Sequence, residues 1–399
     1  MAVTIYDEPQ ALASAGNPLV FTFSSNQTAQ PNFSFVVEVY VDGLLRITQE
    51  VFRQFQTLGK IDVSEAVQST LTNMTITTDL EYDATDSLVE YYIIVHEKYG
   101  ATPTIQASDT STTLKAFNAA LEYKEWVNFD YTNYDPNVTQ GASFLTYFPR
   151  SKRALCGMEE NFYLGYIARA IFGRTGTTEL IVELYNIQGN IIVSDTILLS
   201  PVDFNILNIG PQAIISNSSI TENDFDMCYY YSVSVLYTDE FLESSTEYYN
   251  IYLDTECKRY ETFRLHWLNK LGAFDSFTFS LVNTQSSNVQ SFSYQRDPGI
   301  WQNNSYIYPL YAGQSINFAK TKSEILTLNS DWMNEDVQQW LVKSLYDSPL
   351  VYLEQSNGTE FEVVKVTNSS YTLKERRRDG LIQETVNIER TFTYRSQLN

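Results

Sequence analysis

Phe33–Val41 reads FSFVVEVYV, Asp42-Gly43 follows, and Leu44–Phe52 (LLRITQEVF) returns. Apolar residues at every second position describe a strand with one face buried. Asp-Gly between two such runs favours the tight turn that joins antiparallel strands. The same grammar recurs downstream. Thr178–Tyr185 and Asn190–Leu199 flank Gln188-Gly189, and Tyr229–Tyr237 precedes a second alternating run, Glu247–Asp254. Near the end, Leu350–Glu354, Phe361–Thr367, Tyr371–Arg377 and Leu381–Tyr394 are separated by turns at Asn357-Gly358 and Asp379-Gly380. Ser87–Glu97 adds a strand to the first group, Ile61–Leu71 a short helix, and Leu114–Trp126 either a helix or a helix passing into a strand. Between Asp331 and Leu345, Val337, Trp340, Leu341 and Leu345 share one helical face, with Ser330 placed to cap.

The expected fold is mainly β. Two antiparallel β-sandwich modules, Ig-like or jelly-roll-like, precede a C-terminal β-meander with one amphipathic helix. The expected organisation is an extended N-terminal arm over 1–16, a sandwich over 17–105, a connecting segment over 106–149, a second sandwich over 150–256, and a C-terminal β domain over 257–399 with its helix at 331–345. No repeat with a period of 20–50 residues is visible, which disfavours propellers and solenoids.

The chain has 399 residues, 29 tyrosines and 23 phenylalanines, against two histidines and three cysteines. It is rich in residues that build sheets and poor in those that carry acid–base, nucleophilic or soft-metal chemistry. A net charge of -22 disfavours nucleic acid and anionic membrane as partners. The N-terminal residues lack the basic and apolar regions of a signal peptide, and no apolar run reaches membrane-spanning length. Cys156, Cys228 and Cys257 are odd in number and widely spaced, so reduced core thiols are expected, not a disulfide framework or a zinc site.

His96 and His266 each fall in an expected strand, without a second ligand at metal-binding spacing. A strand histidine with a structural role is the reading for both. Asp130, Asn133 and Asp135 carry oxygen ligands suited to calcium but lack the glycine and bidentate glutamate of an EF-hand loop, which favours an ordinary polar turn. No nucleophile elbow, phosphate loop or dinucleotide fingerprint is present. No catalytic residue, cofactor or metal site is assigned, and the chain is expected not to be an enzyme. A pair of carboxylates for glycoside hydrolysis cannot be selected from 48 acidic residues. Two clusters suit an interface. Arg376, Arg377 and Arg378 form a basic hairpin tip complementary to an acidic neighbouring copy. Tyr229, Tyr231, Tyr248 and Tyr249 belong to a dense tyrosine group in which alternation turns half the rings inward.

Asn118–Trp126 (NAALEYKEW), Phe144–Arg150 (FLTYFPR), Arg264–Phe277 (RLHWLNKLGAFDSF) and Ser348–Glu354 (SPLVYLE) resemble blocks of uncharacterised virion proteins of tailed bacteriophages, particularly those of Bacteroidetes-type hosts. The resemblance covers about a third of the chain and contains no catalytic motif. It implies a non-enzymatic tail, baseplate or connector component, made in the host cytoplasm and present in multiple symmetric copies. Its partners would be other virion proteins and copies of itself, and Ala2–Pro9 would order against a neighbouring subunit. The alternatives are a carbohydrate-binding adhesin or receptor-binding protein that takes a host-surface glycan on its tyrosines, and a capsid decoration or head–tail connector subunit.

Overall fold

The computed structural model describes the chain except residues 1–2, 55–56, 73–74, 85–86, 137, 168–175, 201–203, 239–242, 257, 356–357, 369, 371, 374–379, 393 and 396–399. It is mainly β and divides into two compact units, Met1–Thr255 with Leu268–Ser276, and Glu256–Trp267 with Phe277–Asn399.

The first unit opens with β1 (Val3–Asp7), β2 (Leu12–Ser14), β3 (Val20–Ser25), β4 (Ser34–Val41), β5 (Leu44–Val51), β6 (Leu58–Asp62) and α1 (Ser64–Gln68). Then come β7 (Glu81–Asp83), β8 (Leu88–Tyr99), β9 (Thr104–Thr110) and β10 (Leu114–Phe117). One sheet has the order β2-β10-β8-β4-β5, with β9 also on β8, and it faces a small sheet β1-β3-β6. Asp42 and Gly43 both take positive φ, 50° and 71°, which the tight β4–β5 turn requires. Inward side chains alternate along β4 and β8: Phe35, Val37, Val39 and Val41 meet Tyr91, Ile93 and Val95, with Phe21 and Phe23 from the facing sheet. Each such burial contributes about 1.5–3 kcal/mol.

After α2 (Tyr123–Trp126), the pattern repeats. β11 (Ala154–Cys156), β12 (Tyr163–Ile167), β13 (Thr177–Tyr185), β14 (Ile191–Leu199), β15 (Phe204–Asn208), α3 (Pro211–Asn217), α4 (Glu222–Asp226), β16 (Tyr230–Thr238), β17 (Glu243–Ser245) and β18 (Tyr249–Leu253) follow in order. The large sheet is β11-β18-β16-β13-β14 with β17 also on β16, and β12 pairs with β15 opposite. Strand by strand this is the first module again. In both, the first strand of the large sheet pairs in parallel with the last (β2 with β10, β11 with β18), and the two central strands form antiparallel partners. This is the Greek-key connectivity of an immunoglobulin-like sandwich.

The duplication extends to side chains. Tyr40 and Tyr92 stand opposite one another on β4 and β8, their rings stacked at 4.9 Å, and the Tyr40 hydroxyl donates to Glu38. Tyr185 and Tyr230 do the same on β13 and β16 at 4.7 Å, with the Tyr185 hydroxyl donating to Glu183. The modules are joined by β7, whose Glu81–Asp83 pairs with β15 of the second module. Glu81 there accepts hydrogen bonds from the Ser200 amide and the Asn205 side chain.

An extended arm over 1–16 is not what forms. Val3–Asp7 is a strand on β3 and Leu12–Ser14 a strand on β10, and Val3 is buried. These short segments satisfy the edges of both sheets within their own chain, so Val3–Pro9 needs no neighbouring subunit to order. For the same reason the first sandwich runs from β1 to β10, past the expected limits of 17 and 105. The Leu114–Trp126 stretch is a strand followed by a helix, the reverse of the order expected.

The second unit is built on β19 (Phe263–Leu268), β20 (Phe274–Phe279), β21 (Thr284–Gln295), β22 (Ile300–Gln302), β23 (Ser305–Ile307), β24 (Ser315–Asn329), β25 (Met333–Asn334), α5 (Glu335–Leu345), β26 (Val351–Glu354), β27 (Phe361–Val366), β28 (Leu381–Ile382), β29 (Thr385–Arg390) and β30 (Tyr394–Arg395). Its main sheet has the order β20-β19-β26-β27-β29-β24-β21. Leu341 and Leu345 of α5 are fully buried, and Trp340 packs on Trp267, whose indole N–H donates to Ser344 at 2.8 Å. The helix starts later than expected. Met333–Asn334 pairs with β28, Asn334 occupies the N-cap, and Ser330 accepts instead from the Glu384 amide. Of the closing meander, β26, β27 and β29 lie side by side, and β29 then pairs with β24. Much of the expected strand Tyr371–Arg377 lies outside the described residues.

Candidate interaction site

Among the described residues β21 and β24 form the longest antiparallel pair, from Thr284↔Thr327 to Gln295↔Ser315. β29 covers β24 from Ile325 to Asn329, and β30 pairs at Thr321 and Lys322. From Lys320 to Ser315, among the described residues, β24 pairs with β21 alone, a stretch of about 17 Å at 3.4 Å per residue. All twelve residues of β21 are exposed. The sequence explains why: TQSSNVQSFSYQ is polar on both faces, so neither face can be drawn into a core. Val289, Phe292 and Tyr294 are the exceptions in β21, and the rings of Phe292 and Tyr294 each lie 6.3 Å from that of Phe318 on β24.

At the end of this arm β22 and β23 make a second, smaller hairpin turning at Asn303, φ 51°. Here Trp301 is 74% exposed, Tyr308 70%, Leu310 101% and Tyr311 81%. Exposed apolar residues occur singly on most surfaces; here four fall within eleven residues at the end of the arm, with Trp301 and Tyr308 linked through the Tyr306 ring. Residues 298–319 contain no charged side chain, in a chain whose net charge is -22.

A second concave feature lies in the first unit. Glu8, Gln10, Leu19, Tyr123, Trp126 and Phe129 are among the residues lining a cleft of about 440 Å³. Tyr123 is exposed and Trp126 half-buried, their rings 5.7 Å apart and inclined at 45°, and Glu8 and Gln10 supply polar groups on the wall. Gln10 is held by a hydrogen bond to the Phe129 carbonyl. Tyr131 also lines the cleft, and its burial raises its hydroxyl's pKa well above the ordinary range.

The tyrosine group separates by face. Tyr229, Tyr230 and Tyr252 are half-buried, with Arg153 above them: its guanidinium lies 4.8 Å from the Tyr252 ring centre and donates to the Tyr229 hydroxyl. Tyr248 is exposed. Tyr231 and Tyr249, expected at an interface, are instead core residues at 0% and 6% exposure. Alternation along β16 and β18 turns them inward, and the Tyr231 hydroxyl donates to the Ile209 carbonyl. Arg376, Arg377 and Arg378 lie outside the described residues.

Each histidine faces a glutamate. His266 is fully buried, its Nε2 2.6 Å from Glu354, with Arg264 beside the same carboxylate. His96 sits 3.5 Å from Glu38 on the outer face of the first module. Asp130 caps a single 3₁₀ turn, Tyr131–Tyr134, accepting from the Thr132 amide and hydroxyl. Among the described residues no group of three His, Cys, Asp or Glu side chains is arranged to hold a metal, and no helix is long and apolar enough to cross a membrane. No protein-family model matches the chain, and no curated protein matches it.

Proposed function

We propose that this chain is a non-enzymatic assembly protein of a tailed-phage type virion, a tail or baseplate adaptor working in several symmetric copies. The observation that carries the reading is the projecting β21–β24 arm. A two-stranded ribbon gains little stability in water by itself. One that ends in an uncharged aromatic tip is suited to ordering against another protein. The resemblance of the Asn118–Trp126, Phe144–Arg150, Arg264–Phe277 and Ser348–Glu354 blocks to virion proteins points the same way. Mass spectrometry of purified particles together with density traced for this chain tests the reading. Stoichiometric presence with the arm inserted in a neighbour supports it; absence from the particle contradicts it. Density in the tail or baseplate separates that position from capsid decoration or a head–tail connector.

The Tyr123–Trp126 cleft favours a second reading, a saccharide-binding surface in which aromatic faces stack on sugar rings and Glu8 and Gln10 meet hydroxyl groups. A glycan array decides it. Selective binding lost in Trp126→Ala supports a glycan partner, and silence of the intact chain removes it.

A further inference from the structure

We infer that the arm tip is a self-association surface, in which Trp301, Tyr308, Leu310 and Tyr311 of one chain pack against the same residues of a second copy across a twofold axis. The inference rests on the assembly reading above and names its first partner.

Three observations select a second copy. The first is charge. Two chains of net charge -22 repel wherever acidic surface meets acidic surface, and 298–319 is a stretch from which charge has been withdrawn altogether. A basic tip would suit nucleic acid or an anionic membrane; an uncharged one suits neither. The second is self-complementarity. A twofold contact places each patch against itself, so a charged patch would face its own sign, whereas an aromatic and aliphatic patch meets its match. The third is area. Fully covering four large side chains hides about 150–250 Å² each. At exposures of 70–101% these four offer roughly 500–800 Å² per copy. Pairing two tips therefore buries roughly 1,000–1,600 Å², which reaches the range of specific interfaces.

The competing receptor is the edge strand β5, where Leu44, Leu45 and Ile47 are exposed. A tip seated there would give a head-to-tail contact, hence a ring or filament, not a closed dimer.

Sedimentation velocity of the full chain over concentrations up to about 100 µM separates these arrangements. Expected is a dimer whose dissociation constant rises at least about 100-fold in L310K/Y311K, since two central anchors are lost. Both side chains are solvent-exposed, so circular dichroism and the thermal transition stay as in the parent. The inference is overturned by a wild-type chain that remains monomeric throughout, or by a tip variant as dimeric as the parent. Loss of association in L45K/I47K with open-ended growth in the parent also overturns it and identifies β5 as the receptor. Incorporation into particles is scored in parallel. A monomeric chain that still enters the particle through its arm sinks the twofold contact alone, whereas an arm-independent chain sinks the assembly reading.

Discussion

Replacing Ser291–Lys320 by a two-residue Asn-Gly turn joins Gln290 to Thr321, which are cross-strand partners already. The structure fixes what that removes. Within 291–320, Ala319 is the buried residue among those described, and the others are exposed or half-buried against the ribbon itself. Losing the burial of one alanine costs about 1 kcal/mol at most. Shortening the connection acts in the other direction, by about 0.6 kcal/mol for each halving of its length. Going from thirty residues to two is about four halvings, about 2.4 kcal/mol, so the shorter connection outweighs the lost burial and the second unit's unfolding midpoint should hold or rise by several degrees, about 4–10 °C. Differential scanning calorimetry and guanidinium unfolding measure it. A fall of more than about 10 °C, or failure to fold, would show that the arm belongs to the core of its unit and refute its assignment as a docking element.

Three further outcomes follow from the packing. Gly165 lies in β12 where an added Cβ would meet the Ala273 Cβ at 2.4 Å, so Gly165→Ala should cost about 1–3 kcal/mol in denaturant unfolding, and a cost near zero would show that this approach is not kept in solution. Burial pushes Tyr91, Tyr131, Tyr166 and Tyr249 well above ordinary tyrosine values, so they stay protonated in the folded chain while the unfolded chain ionises near pH 10. Stability is then full below about pH 10 and falls as pH rises, by about 1.4 kcal/mol per pH unit for each ring; exposed tyrosines ionise first, the buried rings' share of the tyrosinate absorbance should appear only with loss of circular dichroism, and ionisation of every ring in a chain of native dichroism contradicts this. Cys156 and Cys228 are buried, and burial pushes the Cys228 thiol up to about 11. In a Cys257→Ser background a thiol reagent at about pH 8 should label neither until the chain unfolds, and rapid labelling of the native protein would contradict it.

The elements legible in the sequence are those with local causes. Asp42-Gly43 announces its hairpin because positive φ at both positions of a two-residue turn restricts the residue types that fit, and Gly189 supplies the positive φ of the longer Asn186–Asn190 loop. The Val337–Leu345 face announces a helix through its spacing. What escaped is non-local. The parallel pairings β2–β10 and β11–β18 join residues about a hundred positions apart, and three-residue strands such as LAS and ALC carry too little pattern to read. The duplication escaped because its period is the length of a whole domain, although Glu38-Val39-Tyr40 and Glu183-Leu184-Tyr185 are its visible trace. The arm escaped for a third reason. Strand prediction depends on one apolar face, and a ribbon solvated on both sides has none; the signal available was the uncharged, aromatic run from Pro298 to Ala319.

The most direct measurement is hydrogen exchange at the amides of residues 298–319, compared between the dilute isolated chain and the assembled particle. Fast exchange in isolation with strong protection in the particle is the expected result. Equal exchange in the two states would contradict the arm's role in assembly.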